Sequence, residues 1–159
     1  MNSFPGAGSA LAPRLIAAMG SQRERYQTAS EIQCYSGIAP VVASSGQQRW
    51  VHWRWACPKF LRQTFHEWAL HSIPYCPWAR EYYEQQRAKG KRHNTAVRAL
   101  AFKWIRILFR CWKERQPYDE SIYLRALDAR RPQTQLAAPA VELQWKNVAG
   151  FLKIAIKEA

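Results

Sequence analysis

The chain has 159 residues, with 24 Lys and Arg against 11 Asp and Glu, giving a net charge of +13 and a sequence pI of about 10.1. A hydrophobic content of 48% excludes a wholly disordered polyelectrolyte, and the length suits one compact domain or one domain with a tail. No apolar run approaches the ~18 residues of a membrane span, so the charge calls for an acidic partner, with nucleic acid ahead of an anionic membrane surface.

Residues 4–20 open on Phe-Pro-Gly-Ala-Gly and continue as a small-residue segment. A turn at Gly6 and Gly8 is expected to start a helix with Leu11, Leu15 and Ile16 on one side, stopped at Gly20. A second short helix is expected over 29–35, with Ser30 as its cap and Gly37 beyond its end. Residues 38–55 change character. Val41 and Val42 lead into Ser44-Ser45-Gly46, and Arg49-Trp50-Val51-His52-Trp53-Arg54-Trp55 alternates in part, which predicts a short hairpin or extended segment.

From Pro58 the pattern turns helical. Phe60, Leu61, Thr64, Phe65, Trp68 and Ala69 follow i, i+3, i+4 spacing, with a break at Ile73-Pro74. A further helix is expected over 77–89, ending at Gly90. The strongest pattern covers 94–114. There Val97, Leu100, Ala101, Trp104, Ile105, Leu108, Cys111 and Trp112 form one stripe, and Arg98, Lys103, Arg106, Arg110 and Lys113 lie on the other face. Residues 120–128 suggest another helix, 129–139 have a linker composition, and 142–157 suggest a last helix. The fold expected is mainly α: a helix-hairpin-helix-like element over 4–37, a short hairpin segment over 38–55, and a basic helical bundle over 58–115. Together these form one domain to residue 120, and 121–159 are a helical tail.

The four cysteines, at 34, 57, 76 and 111, form no CxxC pair. His66 and His71 would stand about 140° apart on a helix, so no Cys/His metal site is expected. Unpaired cysteines with no visible signal peptide point to the cytoplasm. The positive charge is concentrated: residues 80–115 carry eleven basic side chains against three acids, and 49–65 carry four with no acid. An ordinary solvated face mixes signs. This one points to polyanion binding, through contacts that supply affinity without sequence readout. Trp68, Trp104 and Trp112 fit apolar stripes and are expected in the core. Trp50, Trp53 and Trp55 suit either packing or stacking on unpaired bases.

Three segments in order resemble the C-terminal domain of the IS-one-ten transposases, the group that also holds the Piv-type DNA invertases. They are Phe4-Pro-Gly-Ala-Gly through Gly20, Tyr35-Ser-Gly-Ile-Ala-Pro with Ser44-Ser45-Gly46, and the basic run from Arg80 to Lys91 continuing into Ala99-Leu-Ala-Phe-Lys-Trp-Ile-Arg-Ile-Leu. The resemblance spans roughly residues 4–120. It implies a part in moving an insertion sequence, through a serine that attacks the DNA backbone. That serine falls on Ser45, with Ser44 as the alternative. It also implies an N-terminal RuvC-like domain holding magnesium on four acids. The acids of this chain are scattered and form no two-metal cluster, so a C-terminal domain truncated relative to the family is expected, with no cofactor of its own.

The resemblance implies DNA as partner, with a guide RNA, and assembly with a RuvC-like domain or as a homo-oligomer, but no membrane. The DNA-binding residues expected are Gly6 and Gly8, whose turn can present backbone N–H groups to a phosphate, together with Arg49, Arg54, Lys89, Lys91, Arg92, Lys103, Arg106 and Arg110. The alternative reading is a non-catalytic helix-hairpin-helix nucleic-acid-binding module or regulator.

Overall fold

The computed structural model describes residues 3–129, which fall in two units, Met1–Glu120 and Ser121–Ala159. The first unit is a helical body with one two-stranded antiparallel hairpin, in the order α1 (Gly8–Met19), a 3-10 turn (Arg23–Arg25), α2 (Ala29–Tyr35), β1 (Val41–Ser45), β2 (Gln48–His52), α3 (Lys59–Ser72), α4 (Pro77–Ala88) and α5 (His93–Glu114). α6 (Glu120–Asp128) carries the described part of the second unit, and the helix expected over 142–157 lies outside the described residues. The mainly helical fold and the hairpin thus match the sequence expectation.

The 22-residue α5 is the centre of the body, packed by α2, α3 and α4. Its stripe buries Ala96, Val97, Leu100, Ala101, Trp104, Ile105, Leu108 and Trp112, while Cys111, expected in that stripe, is only half-buried. Trp68 of α3 and Trp78 of α4 meet Trp104 at ring-centroid distances of 4.9 and 4.6 Å. These offset, tilted geometries suit the aromatic quadrupoles. Each buried indole N–H finds an acceptor: Trp104 Nε1 donates to Ser72 Oγ at 2.8 Å, Trp68 Nε1 to the Pro5 carbonyl at 3.1 Å, and Trp112 Nε1 to the Gly20 carbonyl at 3.0 Å. The last two bonds tie the start and end of the α1 segment to the bundle. Among the described residues no helix is long and apolar enough to cross a membrane.

Three local expectations need correction. Ile16 is 55% exposed: α1 buries Leu11, Ala12, Leu15, Ala18 and Met19, and position 16 falls just outside the edge of that face. The cap of α2 is Thr28 rather than Ser30. Thr28 Oγ1 accepts from the Glu31 N–H at 3.3 Å, and the Glu31 carboxylate accepts from the Gln27 N–H at 2.9 Å, a variant of the capping box. Arg98 and Lys103 do not stand free on the outer face of α5. Each is half-buried with its charge 3.8 Å from the centroid of an aromatic ring, Trp53 for Arg98 and Tyr82 for Lys103. Long aliphatic stems let a cation reach a ring at the edge of the buried stripe.

Candidate nucleic-acid interface

The hairpin is set by its turn. Register pairs Ser45 with Gln48, Ser44 with Arg49, Ala43 with Trp50, Val42 with Val51 and Val41 with His52. Only Gly46 and Gln47 lie between the strands, and Gly46 has φ 56° while Gln47 is not in the positive-φ region. A two-residue loop with glycine at its first position matches the twist of the flanking strands. No atom lies within 4 Å of where a Gly46 side chain would start. Ser45 therefore ends β1 at an exposed, uncrowded tip, and Ser44 is exposed beside it. Adjacent strand residues face opposite ways, so the two hydroxyls point to opposite sides of the hairpin. Neither a histidine nor a carboxylate stands opposite Ser45 in the register.

The register sets Arg49 across from Ser44, not Ser45, and Arg54 lies outside the hairpin. Arg54 lies beyond β2, six positions past Gln48, at most about 20 Å along the chain at ~3.3 Å per extended residue. Arg54 belongs instead to the hairpin base, where its carbonyl accepts from Arg62 Nη1 at 3.4 Å and from Cys57 Sγ at 3.5 Å. Its own Nε is buried with no hydrogen-bond partner.

The three tryptophans of this segment divide between packing and exposure. Trp53 is packed: the Arg98 and Arg62 guanidinium groups lie 3.8 and 5.3 Å from its ring centroid. Burial, and then the neighbouring Arg62 charge, lower the pKa of Arg98. Trp55 is 81% exposed and Trp50 44%. Beside Trp53 runs a groove of about 450 Å³, lined also by Lys59, Arg62, Gln63, His66, Glu67 and Asn94. Glu67 is already engaged, by Arg14 Nη1 at 2.5 Å and Gln63 Nε2 at 2.6 Å, and chiefly the Gln63 bond holds its carboxyl below the usual range. Burial lowers the pKa of His66.

The remaining basic candidates form two further groups. Lys89, Lys91 and Arg92 occupy the exposed connection between α4 and α5, where Lys91 Nζ donates to Gln86 Oε1 at 2.6 Å and Arg87 Nη1 to the Lys91 carbonyl at 2.9 Å. Lys103, Arg106 and Arg110 recur at i, i+3, i+7 along one stripe of α5, the last two exposed. Burial lowers the Lys103 pKa, and the Arg106 charge lowers it further.

Gly6 and Gly8 differ. A Cβ on Gly6 would fall 2.5 Å from the His71 carbonyl carbon and oxygen and 2.6 Å from the Ser72 nitrogen, so that glycine serves the close approach of this loop to α3. Gly8 has open space around it at the start of α1, a helix without a side-chain cap. Residues 20–28, including the 3-10 turn, separate α1 from α2.

Sequence reasoning missed Arg62 and Arg98 as site residues. The sequence signals were the acid-free composition of 49–65 for Arg62 and the basic excess of 80–115 for Arg98, whereas their meeting at Trp53 is a tertiary event. Among the described residues no three His, Cys, Asp or Glu side chains come together to hold a metal ion.

A family model for the IS116/IS110/IS902 transposases matches residues 1–84. The IS117 mini-circle protein of Streptomyces coelicolor is 32% identical over 118 residues, covering 74% of this chain and 28% of its own length. An insertion element IS900 protein of Mycobacterium paratuberculosis is 32% identical over 121 residues, covering 73% of this chain and 29% of its own. An insertion element IS110 protein of Streptomyces coelicolor is 31% identical over 122 residues, covering 75% and 29%. The chain thus spans less than a third of the length of these relatives.

Proposed function

The chain belongs to the IS116/IS110/IS902 transposase family, and from that premise we propose that it is a DNA-binding segment of an insertion-sequence transposase, with Ser45 as the nucleophile of strand exchange. The observation that carries the reading is the place of Ser45: the last residue of β1, exposed, at the tip of a hairpin projecting from a cationic helical body. A glycine follows it, with nothing near to block a DNA backbone. Attack of Ser45 Oγ on a backbone phosphorus forms a serine–phosphate ester and breaks one phosphorus–oxygen bond to sugar. The serine proton ends on the departing sugar hydroxyl. The number of phosphate esters is conserved, so a second DNA hydroxyl can reverse the step and join strands.

A serine hydroxyl needs a base or a metal to become nucleophilic, and nothing opposite Ser45 in the hairpin supplies one. The described residues do not fit a metal site. In this reading magnesium belongs to a RuvC-like partner domain, and a structured RNA and other protomers complete the assembly.

The test has two stages. The purified chain should bind duplex DNA in a salt-sensitive manner and leave it intact with magnesium. Cleavage by this chain alone would overturn the division of labour. Supplied with the RuvC-like portion of a transposase of the family, it should join strands. Ser45→Ala should abolish joining and Ser44→Ala should spare it, with DNA binding retained in both. Joining by Ser45→Ala at the wild-type rate would leave a binding module without a catalytic part.

A further inference from the structure

The hairpin base holds an uncompensated group of cations. Arg62 and Arg98 approach one tryptophan ring, at 5.3 and 3.8 Å from the Trp53 centroid, and Lys59 lines the same groove. None of the three has a carboxylate partner among the described residues. The single acid of the groove, Glu67, is engaged by Arg14 and Gln63. Arg54, next in the chain to Trp53, keeps a buried Nε without an acceptor. Two guanidinium groups brought together and half-buried repel each other and lose hydration. The ring relieves part of that cost, and an anion would relieve the rest.

We propose that this groove, lined by Trp53, Arg62 and Lys59 and with Arg98 held on the same tryptophan ring, seats a backbone phosphate of the DNA. The proposal rests on the reading of the chain as a DNA-binding transposase segment and assigns that reading a fixed anchor point. A planar guanidinium fork matches two phosphate oxygens, which an ammonium group cannot do. Trp53 then acts as the platform that aims the arginines. A base stacked on its ring would compete with guanidinium groups already there.

Distance separates this anchor from the chemistry. Trp53 lies five positions past Gln48, the cross-strand partner of Ser45. At ~3.3 Å per strand residue that is about 17 Å, or about five nucleotides at 3.4 Å of helix axis per phosphate of one strand. The anchored phosphate is therefore not the one attacked. Its role is to fix where along the backbone Ser45 can reach.

The experiment is a salt titration of binding to a fluorescently labelled DNA duplex, read by anisotropy, with an RNA duplex of the same sequence as a second arm. Removing one phosphate contact should flatten the slope of log K against log salt by about 0.9. Arg62→Gln and Arg98→Gln should each flatten the DNA slope measurably, and the double variant by about 0.9 and no more, since both serve one phosphate. Arg98→Lys should weaken binding despite its retained charge. Circular dichroism checks that each variant folds, and Arg62→Gln carries the test if loss of Arg98 unseats the hairpin. Unchanged slopes in folded variants overturn the anchor and leave the proposed function standing. Flattening on RNA alone overturns its assignment to DNA. A wild-type chain that binds no duplex overturns the proposed function itself, and the anchor with it.

Discussion

Tyr118 stacks on Phe4, with ring centroids 5.3 Å apart and planes 23° from parallel. Phe4 also meets Trp68 edge-on at 5.4 Å, and Tyr118 OH accepts from Trp78 Nε1 at 2.8 Å. The Tyr118 N–H donates to Ser3 Oγ at 3.1 Å, so the chain before α1 and the chain after α5 close together over the tryptophan core. Phe4→Ala should cost about 3–5 kcal/mol, as for other buried aromatic truncations. Tyr118→Phe keeps the stack and removes the acceptor of the Trp78 indole, which should cost about 1–3 kcal/mol. Urea unfolding of residues 1–120 and of the full chain checks both. A loss below about 1 kcal/mol for Phe4→Ala would mean that this closure contributes little.

The two glycines before and at the start of α1 should behave differently. At Gly6, alanine meets both an unfavourable φ of 73° and α3 backbone at 2.5 Å. The left-handed conformation costs about 1–2 kcal/mol and the clash about 1–3 kcal/mol more. At Gly8, φ is 52° with nothing within 4 Å, so alanine should pay only the conformational cost, about 1–2 kcal/mol. Denaturant midpoints of the two variants decide this. Since Gly8→Ala keeps the backbone N–H, DNA affinity should fall less with it than with loss of the arginines at Trp53.

The α5 helix was legible because its apolar residues recur every three or four positions, and burial of Val97, Leu100, Trp104, Leu108 and Trp112 follows directly from that period. The hairpin was legible from a serine-glycine turn between β-forming residues. Partners distant in sequence were not legible. Nothing local tells that Arg98 reaches Trp53, 45 positions earlier, or that Gly6 abuts His71. Nor does anything local tell that Arg54 sits at the hairpin base, where its carbonyl accepts from Arg62 Nη1. Ser30 and Thr28 are both good caps, and the reach of Glu31 back to Gln27 favoured the earlier start.

His66 makes stability depend on pH. Burial lowers its pKa below the ordinary value of 6.5. The unfolded chain therefore takes up the proton first as pH falls, and the folded state loses ground. The contribution is fully present above pH ~6.5 and is lost on acidification from there towards the lowered folded-state value. The thermal midpoint should be lower at pH 5.5 than at pH 7.5, and His66→Gln should reduce that difference. The lowered carboxyl of Glu67 acts in the same direction but nearer pH 4.5 and below, so the two are separable along the pH axis. An identical pH profile in His66→Gln would show that the imidazole is not the group responsible.

Cys76 offers the converse sign. Its thiol is buried at the start of α4 and pushed up to about 12, chiefly by burial, with the Glu120 carboxylate adding to the shift. Its Sγ donates to Glu120 Oε1 at 3.4 Å. A thiolate, not a thiol, attacks alkylating reagents, so Cys76 should be the last of the four cysteines modified at pH 8, after the half-buried Cys34 and Cys57. Mass spectrometry of partly alkylated protein reads the order. The raised folded-state value also means that stability from this group is full below the unfolded thiol pKa and falls as pH rises from ~8.5 towards about 12. Cys76→Ala should weaken that alkaline loss, leaving the part due to Tyr118, whose hydroxyl pKa burial also raises. If Cys76 were labelled first, its thiol would be reaching solvent by local opening of the α4 start, and the closure of residues 117–120 over it would be a loose one.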